Sequence, residues 1–335
     1  MERFFHSLHR PVRKNLLLLV SAFLTLTAAL RSGFGALTLA LVARALPLST
    51  SFKDRYKRLN RFLDNPFFDP QGLTEGLFTV LLGLAAAPTA IPVILDQSTV
   101  GAAQLLLAGI AQAGRILPLA LWVFTYQDIQ NQPERTKSQN FLERVFLLRL
   151  LEAAPEQLTL CFIRDRGYAR GSLMLELLRQ PQTSFILRTQ GKVMVGRKKH
   201  GRWRKCPIRS LRLPHGQPRG LERILSRGQH PIELDLVIYY EPGHKGPWYL
   251  LVSPSSAQWL PTLEVVTLYR QRMSIEQGFR DFKTRLGVRG SRLQVRITER
   301  VQRLLQAFTL AYALIVSLGT SRVAQEARQR LEDRP

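Results

Sequence analysis

Two short apolar runs that end in an acid constrain this chain most. Ile91-Pro-Val-Ile-Leu-Asp96 is one, and Leu158-Thr-Leu-Cys-Phe-Ile163, which continues through Arg164 into Asp165, is the other. Runs of this length with β-branched and aromatic residues read as buried strands. A carboxylate at the end of a buried strand costs several kcal/mol unless it is paired or binds a cation. Between them, Gln104–Ile110 and Ile116–Phe124 also read as strands, and Gln139–Glu152 has helical spacing through Phe141, Val145, Leu148 and Leu151. After Asp165 come a helix at Leu173–Leu178 and a strand at Phe185–Leu187. Three strands, a helix, a strand, a helix and a further strand make the opening of an α/β, ribonuclease-H-like core. In that fold the first and fourth strands are neighbours, so Asp96 and Asp165 are expected to converge. For either acid alone, a turn or helix-cap role is the plainer alternative.

This core divides the chain. Residues 1–88 read as a helical N-terminal region and 89–187 as the first part of this α/β core. Residues 188–260 read as a β-rich basic insertion, and 261–335 as the C-terminal helices of the core. In the N-terminal region, Arg55, Lys57, Arg58 and Arg61 interleave with Tyr56, Leu59, Phe62 and Leu63, the pattern of an amphipathic helix with a basic face. The insertion opens with Arg188–Arg227, which holds thirteen Lys or Arg and one acid, Glu222. Arg204 and Lys205 belong to its densest basic run, and Trp203 and Trp248 are its candidates for stacking a base. Trp248 has packing in a hairpin as its alternative.

Near the C-terminus, Tyr269–Lys283 reads as one helix. At about 100° per residue, Tyr269, Arg272, Glu276 and Lys283 fall within roughly 60° of one another, with Arg280 one turn from Glu276. Leu268, Ile275 and Phe282 occupy the other side. This is either an ion-paired surface helix or a site with one acid among phosphate clamps. Gly278 in mid-helix costs about 1 kcal/mol against Ala, which suggests close backbone approach. Beyond it, Arg285, Arg289, Arg292, Arg296, Arg300 and Arg303 precede an apolar helix at Leu304–Leu318.

Net charge decides the partner class. The chain carries 48 Lys and Arg against 24 Asp and Glu, for a net +24, and the excess is mostly arginine. Arginine's planar fork suits bidentate phosphate contacts, so the expected partner is a polyanion. Cys161 and Cys206 lack the spacing of a zinc site or a disulfide framework, which fits a reducing cytoplasm. A basic N-terminus precedes an apolar run at Leu16–Leu30, as in a signal peptide. That run is short for a membrane span, and the pattern resumes through Leu37, Leu39, Leu41 and Leu46 as in packed helices, so no membrane is expected.

Tyr269-x₂-Arg272-x₃-Glu276-x₆-Lys283 resembles the Tyr-Arg-Glu-Lys signature of bacterial insertion-sequence transposases of the type-4 group, which are DDE enzymes. Leu95-Asp96-Gln-Ser-Thr99 resembles their first-Asp motif, and Asp165-Arg-Gly167 their second. Many relatives place Thr two residues after the first Asp, where this chain has Ser98. The resemblance implies a catalytic and metal-ligating triad of Asp96, Asp165 and Glu276 holding two Mg²⁺ ions, with Mn²⁺ as a substitute. It implies DNA contacts from Tyr269, Arg272 and Lys283. The implied partners are the element's terminal inverted repeats and target DNA, bound by a homodimer at the bacterial nucleoid. A DNA-binding relative without catalysis and a basic membrane-associated protein are the competing readings.

Overall fold

A computed structural model describes residues 8–29, 37–84, 90–130, 138–199, 202–211, 216–226, 231–254, 260–285, 298–321 and 326. Arg289, Arg292 and Arg296 of the arginine-rich stretch lie outside the described residues. The chain divides into two compact units. One takes Met1–Ala86, Gln97–Pro155 and Ser274–Pro335, and the other Ala87–Asp96 and Glu156–Met273.

The first unit is helical around a hairpin. Its helices are α1 (Arg10–Ala29), α2 (Leu39–Ala45), α3 (Phe52–Leu63) and α4 (Pro70–Leu84), followed later by α5 (Tyr126–Gln130) and α6 (Gln139–Ala153). Thr38, Ser51 and Ser138 cap α2, α3 and α6, each side chain accepting a hydrogen bond from a first-turn N–H; this satisfies one of the donors a helix start leaves open. Strands β2 (Ala103–Gln112) and β3 (Arg115–Thr125) pair antiparallel. The long helix α10 (Thr298–Gly319) lies against β3 and α1, and α4 also lies on β3. By length and composition, residues 10–28 and 298–319 could each cross a membrane. Both pack against protein here: Phe23 of α1 meets Phe308 of α10 edge to face at 5.3 Å. On α3, Arg55 donates to the Arg44 carbonyl and Arg58 to Asn15, while Lys57 and Arg61 stay exposed.

The second unit is built on strands. It contains the first part of β1 (Ala90–Val100), then β4 (Thr159–Arg164), α7 (Gly171–Leu178), β5 (Thr183–Thr189), β6 (Met194–Lys199), β7 (Arg202–Pro207), β8 (Arg219–Ser226), β9 (Ile232–Tyr239), β10 (Trp248–Val252) and α8 (Thr262–Gln271). Its strand order is β1-β4-β5-β10-β9-β8-β6-β7. The β1–β4 and β4–β5 pairs are parallel, and β5–β10 onward is antiparallel. Strands from the basic insertion therefore extend the sheet from β5 instead of standing off it. Ile94, Ile163 and Ile186 are fully buried, as strands covered on both faces require.

Two sequence expectations change. β1 does not stop at Asp96 but runs on to Val100, so the acid lies inside the strand, beyond its last parallel pair with β4. Tyr269–Lys283 is not one helix. α8 ends at Gln271, α9 covers Met273–Arg280, and a π-helical turn covers Asp281–Arg285.

Candidate active site

Register builds the site in the second unit. Ile94 of β1 pairs with Ile163 of β4, which pairs with Ile186 of β5. Two residues further along each strand stand Asp96, Asp165 and Arg188. Side chains repeat every second residue, and neighbouring strands lie about 4.8 Å apart. The three charged groups therefore form a row on one face of the sheet. Asp165 follows β4 directly and keeps an extended backbone (φ −85°, ψ −175°). Arg164, on the opposite face, is 1% exposed and stacks on Tyr168, its guanidinium 3.3 Å from the ring centroid.

α8 brings partners to both acids. Arg272, just past its C-terminus, donates from Nη1 to Asp96 Oδ2 at 3.2 Å. The Tyr269 hydroxyl donates to Asp165 Oδ1 at 3.2 Å, and Arg188 Nη1 lies 3.9 Å from the same oxygen. Tyr269 and Arg272 are 3% and 5% exposed, so both are spent on the acids and neither stands open to solvent as the helical-face reading expected. Burial pushes the Tyr269 phenol up to about 12, and the Asp165 carboxylate adds to this while Arg272 and Arg188 pull against it. Tyr269 thus stays a proton donor at neutral pH.

Residues that the sequence reading placed elsewhere, or missed, hold this arrangement. Trp248 is 5% exposed and packs edge to face on Tyr269 at 5.1 Å, on Tyr239 at 6.0 Å and on His244 at 5.5 Å. Folded this way, its ring supports Tyr269 and presents no face to a base. Trp203 is 46% exposed on β7, as are Arg204 and Lys205 beside it. Arg270 fixes α8 to β9 and its following turn, donating to both Glu241 oxygens and to the Tyr239 hydroxyl at 2.9 Å. Arg188 carries a signal that sequence could have shown. Ile-Leu-Asp96, Ile-Arg-Asp165 and Ile-Leu-Arg188 share one offset from a buried isoleucine.

Glu276, Arg280 and Lys283 belong to the first unit. Glu276 and Arg280 are exposed on α9 and Lys283 is half-buried, while Ile275, Gly278, Phe279 and Phe282 turn inward. Asp281 pins the π-turn, accepting from Tyr312 at 2.9 Å and pairing with Arg115 at 3.3 Å. Phe282 packs edge to face on Phe308 and Tyr312.

Residues 129–314 match the family model of the transposase DDE domain. That span exceeds half of the 335 residues. The chain belongs to the transposase DDE domain family. No curated protein matches it. The family makes it a DNA-processing enzyme of transposition that binds DNA, and such enzymes use divalent metal ions. Asp165, Tyr269, Arg272, Glu276 and Lys283 lie inside the matched span, and Asp96 lies upstream of it. Among the described residues, no three His, Cys, Asp or Glu side chains gather as a metal cage. The donor set of the second unit is the pair Asp96 and Asp165, part-exposed at 21% and 36%. Hard carboxylate oxygens in that number suit Mg²⁺, which binds through one or two carboxylates and takes its remaining ligands from water and substrate phosphate.

Proposed function

We propose that this chain is an insertion-sequence transposase of the type-4, Tyr-Arg-Glu-Lys group, which binds its element's ends, cleaves them and joins the 3′ ends to target DNA. The observation that carries this is that Asp96 and Asp165 each stand two residues beyond a paired isoleucine, Ile94 and Ile163, of the neighbouring parallel strands β1 and β4, in a chain of this family. Asp96, Asp165 and Glu276 are the ligands for two Mg²⁺ ions, with Mn²⁺ as a substitute. Such ions, when bound, stabilise charge on the attacking and leaving oxygens of an in-line displacement. The protein's own residues orient and clamp. Tyr269 and Arg272 fix the carboxylates by hydrogen bonds, and Lys283 and Arg280 supply cations to flanking phosphates. Arg204 and Lys205 hold the DNA backbone and Trp203 stacks on a base, a reading supported by its exposure. The protein works as a homodimer on DNA in the bacterial cytoplasm.

Cleavage of a duplex carrying the DNA that flanks the coding sequence tests the assignment. Asp96→Asn, Asp165→Asn and Glu276→Ala should each abolish Mg²⁺-dependent nicking, while gel-shift affinity for the duplex stays within about threefold of wild type. Nicking by purified Glu276→Ala at the wild-type rate would remove Glu276 from the triad.

A further inference from the structure

Both acids of the row already have cationic partners. Arg272 sits on Asp96 at 3.2 Å, and its side chain is only 7% exposed. Arg188 sits 3.9 Å from Asp165 and is 18% exposed, with Tyr269 donating to the same oxygen. Register fixes Arg188 as closely as it fixes the acids. Leu187 of β5 pairs with Arg164 on one side and Leu251 of β10 on the other, which sets Arg188 beside Asp165. Two like charges one strand apart repel, and two guanidiniums largely withdrawn from water offset that repulsion. A divalent ion meeting this row meets carboxylates that are already partnered and two positive charges beside them.

We propose that Arg188, together with Arg272, is a resident counter-cation of the acid pair, and that a divalent ion loads in exchange for these two arginines. Arg188 is thus a positioning residue outside the Tyr-Arg-Glu-Lys set. It holds Asp165 in register before the metal arrives and sets how readily the metal enters. Withdrawn from the carboxylates, the two guanidiniums are left with donors that match phosphate oxygens. This inference rests on the reading of Asp96 and Asp165 as metal ligands.

Mn²⁺ binding to the DNA-free full-length protein, followed by loss of the free-ion electron paramagnetic resonance signal, tests it. Arg188→Gln and Arg272→Gln should each bind Mn²⁺ about threefold to tenfold more tightly than wild type. Arg188→Lys keeps the charge and should stay within about twofold of wild type. Circular dichroism checks folding, and Arg188→Met replaces Arg188→Gln should the latter not fold. Gln variants that bind no more tightly than wild type overturn the inference. The Asp96→Asn/Asp165→Asn double variant separates the two readings. If it abolishes Mn²⁺ binding while the Gln variants match wild type, only the counter-cation role falls. If it binds like wild type, the metal-ligand reading falls and takes this inference with it.

Discussion

Replacing Gly278 with Ala should destabilise the first unit, although Ala is the better helix former. A Cβ on Gly278 would lie closer than 3.0 Å to Ile116 Cγ2, nearer than Cβ atoms pack. Ile116 has no room to yield. It is fully buried, its β-branched side chain is stiff at χ1, and its Cγ1 and Cδ1 already pack close to Gly109 of the neighbouring strand. Overpacking of this kind costs about 1–3 kcal/mol, against about 1 kcal/mol gained from helix propensity. An approach this close falls in the upper half of that range, about 2–3 kcal/mol, so the net expectation is a loss of about 1–2 kcal/mol, or roughly 2–6 °C in melting temperature. Thermal unfolding by circular dichroism measures it. Ile116→Leu removes the offending Cγ2 methyl at similar volume, so Gly278→Ala in that background should cost at least about 0.5 kcal/mol less than in wild type. Because α9 carries Glu276, the single variant should also lose nicking activity and the double variant should recover part of it. A Gly278→Ala protein as stable as wild type would refute the close approach of α9 to β3.

Trp248→Ala should cost about 3–5 kcal/mol and yield poorly folded protein, because a buried ring is lost beneath Tyr269; Trp203→Ala should melt like wild type within about 1 °C yet bind DNA less tightly in a gel shift. The Cys161 thiol, fully buried and pushed up to about 12, is protonated at every pH where the fold is assayed. A thiol reagent at pH 8 should therefore leave Cys161 unlabelled in native protein and label it in guanidinium, as peptide mass spectrometry would show. DNA affinity should fall about 10³-fold or more between 50 and 200 mM salt if six or more phosphates are contacted, and a flat salt response in fluorescence anisotropy would count against the basic surface as a DNA contact.

The convergence of Asp96 and Asp165 was legible because burial of a charge is expensive. An apolar strand that ends in an acid advertises a partner, and two such strands advertise each other. Where β1 ends was not legible. Gln97, Ser98 and Thr99 are polar enough to read as a turn, yet β1 continues through them, with Gln97 and Thr99 both donating to Gln104 of β2. That is a tertiary contact, and no local propensity announces it. The break near Arg272 was hidden for a related reason. Gln271, Arg272 and Met273 are all compatible with helix, so spacing alone extended one regular helix to Lys283.

That break changes what the signature means. A uniform helix would present Tyr269, Arg272, Glu276 and Lys283 as one row of groups facing the same way. With α8 closed at Gln271 and α9 restarting at Met273, the signature divides. Its first two residues are buried against the aspartates, and its last two sit on a separate helical segment docked through Gly278 and Asp281. The spacing then serves two places in series along the chain: Tyr269 and Arg272 hold the carboxylates, and Glu276 and Lys283 stand on the segment that follows. A burial argument could have found the first of these from sequence, since Tyr269 follows Val265 and Val266 by one helical turn and inherits their inward face. Arg272 shares that face only because Asp96 is there to receive it. An arginine is withdrawn from water where an acid awaits it, so its placement became readable only once β1 and β4 had fixed where Asp96 stands.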